Sequence, residues 1–204
     1  MAVSAPADVP AVDRPAARPM TDHLRTTLAE NLRPRLQGDL RTDAMSRALY
    51  ATDASMYQME PVAVCIPKTV ADVQATLEEA HALSIPVLPR GGGSSLAGQG
   101  VNTAVVLDFT RHLDAIVDLD PETQQATVQP GLVLDHLNAA AAEHGLMVGP
   151  DPASSSRATL GGMVANNSTG THSIRYRNMI HHVRRAKGFL ADGTPVTFEP
   201  LSHG

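Results

Sequence analysis

The sequence predicts an α+β protein built around a compact strand–helix–strand unit. Short apolar runs at 62–66, 85–88 and 105–107 have the length and composition of buried strands. A helical apolar pattern separates the first two runs, as in a parallel βαβ unit. Farther along, the segments 115–129 and 184–198 each hold two strand-like runs around a turn sequence, which predicts two β-hairpins.

The segment before this unit is predicted to be helical. Leucines recur every four residues from Leu24 to Leu36, which predicts a helix that Pro34 bends or shortens. A short second helix is expected near 42–49, and residues 50–60 have the composition of a loop. We therefore expect a helical extension over residues 21–59.

The two ends of the chain carry separate expectations. Residues 1–20 hold four prolines among small and acidic residues, which predicts a disordered tail, and either Met1 or Met20 could be the start. The chain ends at Gly204, shortly after a predicted strand. Because a sheet seldom ends on an unfollowed strand, we expect the main domain, residues 60–204, to be truncated before its last strands.

Local signals define the elements of the main domain. Thr69 is a predicted N-cap, with Asp72 in the first turn of the helix that follows. The predicted apolar face of that helix is Val70, Val73, Leu77 and Ala80. A later helix covers 133–144 and ends at Gly145, and Asp192-Gly193 forms the turn of the last hairpin. The polar region 149–182 is predicted to be a long loop.

The bulk composition is that of a globular domain with an aliphatic core. Hydrophobic residues make up 43% of the 204 residues, aromatic residues 3%, and the formal charge is −5. This charge balance does not indicate a nucleic-acid-binding surface. No apolar run is long enough to span a membrane. Cys65 lies in an apolar run and predicts a buried thiol, which suits a cytoplasmic protein. The nine histidines lack metal-binding spacing, and the adjacent His181 and His182 would diverge on a strand, so we expect no metal site.

The most informative segment is the glycine loop, residues 89–100, which reads Pro-Arg-Gly-Gly-Gly-Ser-Ser-Leu-Ala-Gly-Gln-Gly. It follows a predicted strand, and its glycines let successive amide N–H groups converge on an anion such as a pyrophosphate. Ser94 and Ser95 add hydroxyl donors, and Arg90 adds a positive charge at the rim. The glycine spacing matches neither the dinucleotide-binding fingerprint nor a P-loop. Taken alone, a triple glycine could equally be a flexible surface turn, which is the alternative interpretation.

A second glycine-bearing loop, residues 149–170, favours the binding interpretation. Gly161, Gly162 and Ala165 are small enough for a flat ligand to lie against the backbone. The polar side chains around them are Thr159, Asn166, Asn167 and Ser168. Long ordered loops in compact domains tend to be functional. Two such loops in one domain suit an extended ligand with a phosphate part and a flat part.

Together these segments resemble the FAD-binding domain of the p-cresol methylhydroxylase (PCMH) and vanillyl-alcohol oxidase superfamily. The nearest branch is similar to the FAD-linked oxidases related to D-lactate dehydrogenase and the glycolate oxidase flavin subunit. The similarity covers about residues 50–200 and rests on 60–74, 89–100, 126–138 and 149–173. It implies a PCMH-type domain of two α/β subdomains with FAD between them. Residues 50–54 and 166–173 resemble a sub-branch whose flavin domain often precedes an iron–sulfur domain.

The resemblance also assigns residues to the cofactor by position. The glycine loop would hold the pyrophosphate, the second loop would line the flavin and ribityl region, and Val183 would contact the adenine side. The implied cofactor-binding residues are Arg90, Gly91, Gly92, Gly93, Ser94, Ser95, Pro150, Asp151, Thr159, Gly161, Gly162, Ala165, Asn166, Gly170 and Val183. Relatives with covalent FAD often attach it through a histidine in the glycine loop. This loop has none, so non-covalent FAD is expected.

Two positions need separate comment. The family usually has glycine after the tyrosine at position 176, whereas this chain has Arg177. A left-handed backbone there would cost an arginine about 1 kcal/mol or more. His172 follows the second loop, and we interpret it as a polar loop residue ahead of any functional role. The resemblance names no catalytic base in this chain.

The resemblance implies an FAD-dependent oxidoreductase acting on CH–OH donors. A 2-hydroxy acid such as D-lactate would pass a hydride to FAD, and a separate cytochrome, quinone or iron–sulfur domain would accept the electrons. The alternatives are a truncated, non-catalytic flavin-binding module and, less favoured, a sugar-nucleotide reductase that uses NADPH. Gly92→Val is predicted to abolish FAD retention, because valine would block both the backbone angle and the close approach.

Overall fold

The structure is a computed structural model that describes residues 22–200. The predicted tail over residues 1–20 and the two candidate start sites lie outside the described residues. Within residues 22–200, no helix combines the length and apolar character needed to cross a membrane.

A four-stranded sheet organises the first half of the chain. Its strands are β1 (Asp39–Arg41), β2 (Ala63–Ile66), β3 (Val87–Arg90) and β4 (Val105–Asp108), in the order β1-β2-β4-β3. The strands β2, β4 and β3 are parallel, with Val64 beside Val106 and Arg90 beside Asp108, whereas β1 is antiparallel to β2. The predicted parallel unit is confirmed. Its three carboxyl ends lie at one edge of the sheet, where the glycine loop begins.

Helix α3 (Val70–Ala82) makes the crossover between β2 and β3. Thr69 and Asp72 form a capping box at its start, which confirms the predicted N-cap. Its buried face centres on Thr76, and Val70, expected on that face, is 60% exposed. Val70 lies six residues before Thr76, roughly a third of a turn around the helix from the buried face, and therefore faces solvent.

The predicted helical extension, described over residues 22–59, also contains a strand and is therefore only partly helical. Helix α1 (Asp22–Leu32) ends in a 3₁₀ turn at Arg33–Arg35 that contains Pro34, and α2 (Ala44–Leu49) follows β1. The unpredicted strand β1 is an edge strand of the main sheet. Three residues are too few to show an alternating pattern, so this strand has no recognisable signal in the sequence.

Two faces of the sheet are packed with aliphatic side chains. On one face, Leu28 and Leu32 of α1 join Val105 and Leu107 in the main core, and on the other Val64 and Val106 pack near Tyr50. Cys65 is fully buried in the main core. Burial raises the pKa of the Cys65 thiol to about 11. The prediction of a buried cysteine is confirmed.

The second half contains the two predicted hairpins. They pair β5 (Ile116–Asp120) with β6 (Gln125–Val128), and β7 (Ala186–Phe189) with β8 (Pro195–Phe198), both antiparallel. Along the chain, helix α4 (Leu134–Ala142) follows the first hairpin and precedes the second, as predicted. Gly145 and Gly193 have left-handed φ angles of 70° and 87°, which explains the glycine at each of these turns.

The predicted loop over 149–182 contains short helices, which is a correction. They are α5 (Leu160–Ala165), α6 (Ser173–Tyr176) and a 3₁₀ turn at Met179–His181. His181 therefore does not lie on a strand. Glycines give α5 a poor helix propensity, but burial of Leu160 and Met163 in a second core with Leu134 overrides it.

Candidate cofactor-binding site

A cleft of about 240 Å³ separates the glycine loop from the start of α5. The two loops singled out in the sequence therefore face each other. The predicted cofactor-binding residues that line the cleft are Arg90, Gly91, Gly92, Gly93, Ser94, Ser95, Thr159, Gly162, Ala165 and Asn166. The predicted residues outside its lining are Pro150, Asp151, Gly161, Gly170 and Val183. The cleft is smaller than most pockets for drug-sized ligands, so the described residues enclose only part of a flavin nucleotide.

The three consecutive glycines serve different purposes. A Cβ atom on Gly91 would overlap the Thr159 hydroxyl, and one on Gly92 would overlap the carbonyl oxygen of Arg157. Only Gly93 has a left-handed backbone, with φ of 63°. Gly91 and Gly92 therefore allow the two loops to touch, and Gly93 turns the chain.

The amide groups of the glycine loop are available to a ligand. Within the described residues, the backbone N–H groups of 91–95 donate to no protein acceptor. The start of α5 is different, because Leu160 donates to Leu132, Gly161 to Pro130 and Gly162 to the Thr159 hydroxyl. Residues 91–95 line the cleft and are partly or fully exposed, so their unpaired N–H groups are accessible to an anion. The residues present thus fit the diphosphate of FAD at the glycine loop.

The Arg90 side chain contacts backbone groups at and near the glycine loop. Its guanidinium donates to the backbone carbonyl oxygens of Tyr50 at 3.1 Å, Thr52 at 2.7 Å and Gly100 at 3.0 Å. It also lies 5.3 Å from the centre of the Tyr50 ring. We expected Arg90 to place its charge at the rim, whereas these contacts direct the guanidinium to one carbonyl group of the glycine loop and two of the 50–54 segment.

Residues 50–54 hold the glycine loop in place, a role that sequence reasoning missed. The Ala54 N–H donates to the Gly93 carbonyl at 2.9 Å, and the Asp53 carboxylate accepts from the Gly100 N–H at 3.0 Å. Burial opposes ionisation of Asp53, but hydrogen bonds from Ser55 and Gly100 outweigh it and lower the pKa of Asp53. The only available signal was the Tyr-Ala-Thr-Asp-Ala stretch itself, whose partners lie far along the chain.

A phenol–carboxylate pair, partly buried at Tyr50 and buried at Asp108, lies at the same edge of the sheet. The Tyr50 hydroxyl donates to Asp108, whose carboxylate also accepts from the Thr110 N–H at 2.8 Å. Burial and the Asp108 carboxylate raise the pKa of Tyr50 to about 12. Tyr50 therefore remains a hydrogen-bond donor at neutral pH and ties the loop before β2 to the end of β4.

Asp151 fixes the start of α6 rather than lining the cleft. Its carboxylate accepts from the His172 N–H at 2.8 Å and the Thr171 hydroxyl at 2.9 Å, and it lies 2.7 Å from His172 Nδ1. The backbone hydrogen bond from His172 is the main cause that lowers the pKa of Asp151. Gly170 packs so closely on Asp151 that a Cβ atom would overlap its carbonyl oxygen. Asp151 and Gly170 thus together hold the start of α6 in place.

Arg177 has the left-handed backbone that the resemblance suggested for a glycine, with φ of 66° and ψ of −163°. This region is populated almost only by glycine. Arg177→Gly is therefore expected to raise the free energy of unfolding by about 1 kcal/mol, measured by urea denaturation. Arg177→Ala is the control, because alanine keeps the Cβ atom and should give no comparable gain. Equal effects of the two substitutions would show that the backbone angle is not the cause.

The described lining of the cleft consists of small, polar and apolar residues together with Arg90. Its lining contains no His, Asp, Glu, Lys, Tyr or Cys among the described residues. Over residues 22–200, no three His, Cys, Asp or Glu side chains are grouped so that they could hold a metal ion.

Comparison with known proteins places this architecture in a family. The FAD binding domain model matches residues 61–199. The chain is 38% identical over 160 residues to D-2-hydroxyglutarate dehydrogenase of Haemophilus influenzae, covering 77% of this chain and 16% of that protein. It is 32% identical over 177 residues to glycolate oxidase subunit GlcD of Escherichia coli K12, covering 85% and 35%. The chain thus spans about a sixth to a third of the length of these relatives.

Solved structures show the same fold. Xylooligosaccharide oxidase from Myceliophthora thermophila superposes with a TM-score of 0.72 at 26% identity, over 84% of this chain and 37% of that one. Substrate-bound p-cresol methylhydroxylase superposes with a TM-score of 0.69 at 19% identity, over 87% and 36%. The predicted PCMH-type fold is confirmed. With its fold and most of its length matched, this chain is a member of the FAD binding domain family.

Proposed function

We propose that this chain is the FAD-binding part of a flavin-dependent dehydrogenase that oxidises a 2-hydroxy acid. The row of unpaired N–H groups at residues 91–95, facing the cleft shared with α5, carries the proposal. The substrate class is supported by relatives named D-2-hydroxyglutarate dehydrogenase, D-lactate dehydrogenase and glycolate oxidase subunit. Each of these names describes a 2-hydroxy acid or its oxidation.

Different residues of the cleft would bind different parts of FAD. The amides of 91–95 would bind the diphosphate, and Asn166 and Ser168 would offer polar side chains to the neighbouring part of the nucleotide. Gly162 and Ala165 leave room for close approach to the backbone. When bound, FAD supplies a two-electron acceptor for the α-hydrogen of the substrate. We also infer non-covalent binding, since the described lining offers no histidine, cysteine or tyrosine for attachment.

This chain would bind and orient FAD, and other groups would carry out the proton transfer. Oxidation of an alcohol also releases the hydroxyl proton, which needs an acceptor. The cleft lining supplies none. The proposal therefore assigns the proton acceptor to groups outside this cleft, and the final electron acceptor to a separate cytochrome, quinone or iron–sulfur domain.

A flavin titration tests the binding half of this proposal. The purified chain, incubated with FAD and passed through a desalting column, should be yellow and show an oxidised-flavin absorbance spectrum. Anaerobic addition of D-2-hydroxyglutarate, D-lactate or glycolate should then bleach that spectrum if the chain supports hydride transfer. A colourless protein after desalting would contradict the assigned site.

The absence of a proton acceptor from the described cleft lining favours a second candidate, a flavin-binding module without turnover of its own. The same titration separates the two. A module would become yellow and be bleached by dithionite but by no 2-hydroxy acid. Bleaching by one of the acids would exclude the module.

A further inference from the structure

Residues 172–187 carry a concentrated positive charge, and we call them the basic segment. The segment contains no Asp or Glu, and its basic residues are Arg175, Arg177, Arg184, Arg185 and Lys187. Because these five charges belong to a chain with a formal charge of −5, the remaining residues together carry −10. The basic segment is therefore the part of this acidic protein that would attract an acidic partner.

The charges of the basic segment are exposed and mostly unpaired. All five of its basic side chains belong to residues at the surface. Arg185 lies 3.0 Å from the carboxylate of Glu199. Within the described residues, Arg175, Arg177 and Arg184 form no ion pair with a carboxylate. Three guanidinium groups are thus not neutralised by carboxylates of the described chain.

Contacts around Tyr176 give the first part of the basic segment a defined shape. Nε2 of His182 lies 2.7 Å from the Tyr176 carbonyl oxygen, and the Arg175 guanidinium lies 5.6 Å from the centre of the Tyr176 ring. Two aliphatic side chains of this part face solvent, since Ile174 is fully exposed and Ile180 is 65% exposed. Arginine and aromatic residues are enriched in protein–protein interfaces, and exposed apolar side chains beside them favour a protein as the partner.

The backbone of Arg177 is an independent indication that the charge is used. Its φ of 66° and ψ of −163° lie in a region that is populated almost only by glycine. Within the described residues, the Arg177 side chain forms no hydrogen bond or ion pair that would offset this strain. Strained residues persist where they serve a function, and what Arg177 has over glycine is an exposed positive charge.

The basic segment is attached directly to one wall of the cleft. The Met179 N–H donates to the Ser168 carbonyl at 3.0 Å, and Ser168 lines the cleft. The Ile180 N–H donates to the side-chain oxygen of Asn167 at 3.0 Å. A protein bound to the basic segment would therefore lie next to the cleft.

We propose that residues 172–187 form a docking surface for an acidic protein. The exposed arginines would contact carboxylates of that protein, because the planar guanidinium group matches carboxylate geometry. Opposite charges would also steer the two proteins together, and the complex would cover Ile174 and Ile180. This inference does not require bound FAD, so it stands or falls separately from the function proposed above.

The test uses a plant-type iron–sulfur ferredoxin, a small acidic protein, as the probe in isothermal titration calorimetry. The purified chain should bind it, and the affinity should fall at least about tenfold between about 20 mM and about 200 mM salt. The double variant Arg177→Gln and Arg184→Gln should bind about tenfold more weakly at low salt. Arg177→Lys with Arg184→Lys should recover part of the affinity.

The matched control is the double variant Lys68→Gln and Arg111→Gln. It removes two exposed cations that lie outside the basic segment and form no ion pair among residues 22–200. It should keep wild-type affinity for the ferredoxin. The single variant Arg177→Gly separates charge from strain, because it should be more stable than wild type and yet bind the ferredoxin more weakly.

The inference would be overturned by a wild-type chain that does not bind the ferredoxin at low salt. Equal losses in the two glutamine double variants would also overturn it, because they would reveal a general charge effect. Vesicles of phosphatidylglycerol and phosphatidylcholine in equal parts should not be bound, and binding to them in place of the ferredoxin would assign the segment to a membrane surface. A chain that binds the ferredoxin but retains no FAD would contradict the proposed function alone.

Discussion

Asp72→Ala is expected to lower the free energy of unfolding by about 4 kcal/mol. The carboxylate is almost fully buried and accepts four backbone hydrogen bonds at 2.8–3.1 Å. Their donors are the N–H groups of Gln37, Gly38, Lys68 and Thr69. One side chain thus joins the start of α3 to the segment that leads into β1. Alanine would leave these donors without their acceptor and would loosen the edge strand.

Urea denaturation of Asp72→Ala beside Asp114→Ala provides the measurement and its control. Asp114 is exposed and its side chain forms no hydrogen bond or ion pair within the described residues. Its replacement should change stability by less than about 0.5 kcal/mol. If both variants lose the same small amount, the Asp72 junction does not hold the sheet together as described.

The effect of Asp72 should depend on pH in one direction. Burial opposes its ionisation, but hydrogen bonds from Gln37, Lys68 and Thr69 outweigh burial and lower the pKa of Asp72 in the folded protein. Its stabilisation is therefore complete above the unfolded pKa of about 3.9 and is lost as pH falls through the folded pKa. The stability difference between wild type and Asp72→Ala should be constant near neutral pH and shrink in acid. A difference that grows in acid would contradict this assignment.

Gly92→Val should reduce FAD affinity at least about a hundredfold and abolish retention on a desalting column. Of the two reasons given from the sequence, the structure confirms the close approach and corrects the backbone angle. Gly92 has no left-handed backbone, and the residue with that property is Gly93. What excludes a side chain at Gly92 is the carbonyl oxygen of Arg157. Valine would push the glycine loop away from α5, open the cleft and separate the amide row from the second wall.

Gly188→Val is the matched control for this variant. Gly188 lies in β7, and no atom lies within 4 Å of the position that its Cβ atom would take. It should therefore retain wild-type flavin content. Circular dichroism would verify that both variants remain folded. Unchanged flavin content in folded Gly92→Val would show that the contact between the loops is not needed for binding.

Local patterns in the sequence carry much of this architecture. The β-branched runs of β2 and β4, the Thr69 cap and the Asp192-Gly193 turn each act over a few residues, so their signals survive without tertiary information. The glycine loop was also recognisable, because few other sequences allow so many amides to converge. The predictions succeeded where a property was local.

The features that could not be predicted from the sequence depend on contacts between distant segments of the chain. Asp72, more than thirty residues away, accepts from the N–H groups of Gln37 and Gly38, which directly precede strand β1. The first turn of helix α5, which has a poor helix propensity, is held by residues distant in sequence, because Leu160 donates to Leu132 and Gly161 donates to Pro130. The partners of Arg90 lie at residues 50, 52 and 100, and no local pattern indicates that its guanidinium contacts carbonyl groups and not a ligand. Each of these features depends on which segments meet in three dimensions.

The most direct test of the account is a crystal structure of this chain with FAD. We predict that oxygen atoms of the diphosphate lie within about 3.2 Å of backbone nitrogens in residues 91–95, on the side that faces Thr159. A diphosphate bound elsewhere, with those nitrogens still unpaired or turned to solvent, would contradict the assignment of the glycine loop as the phosphate site.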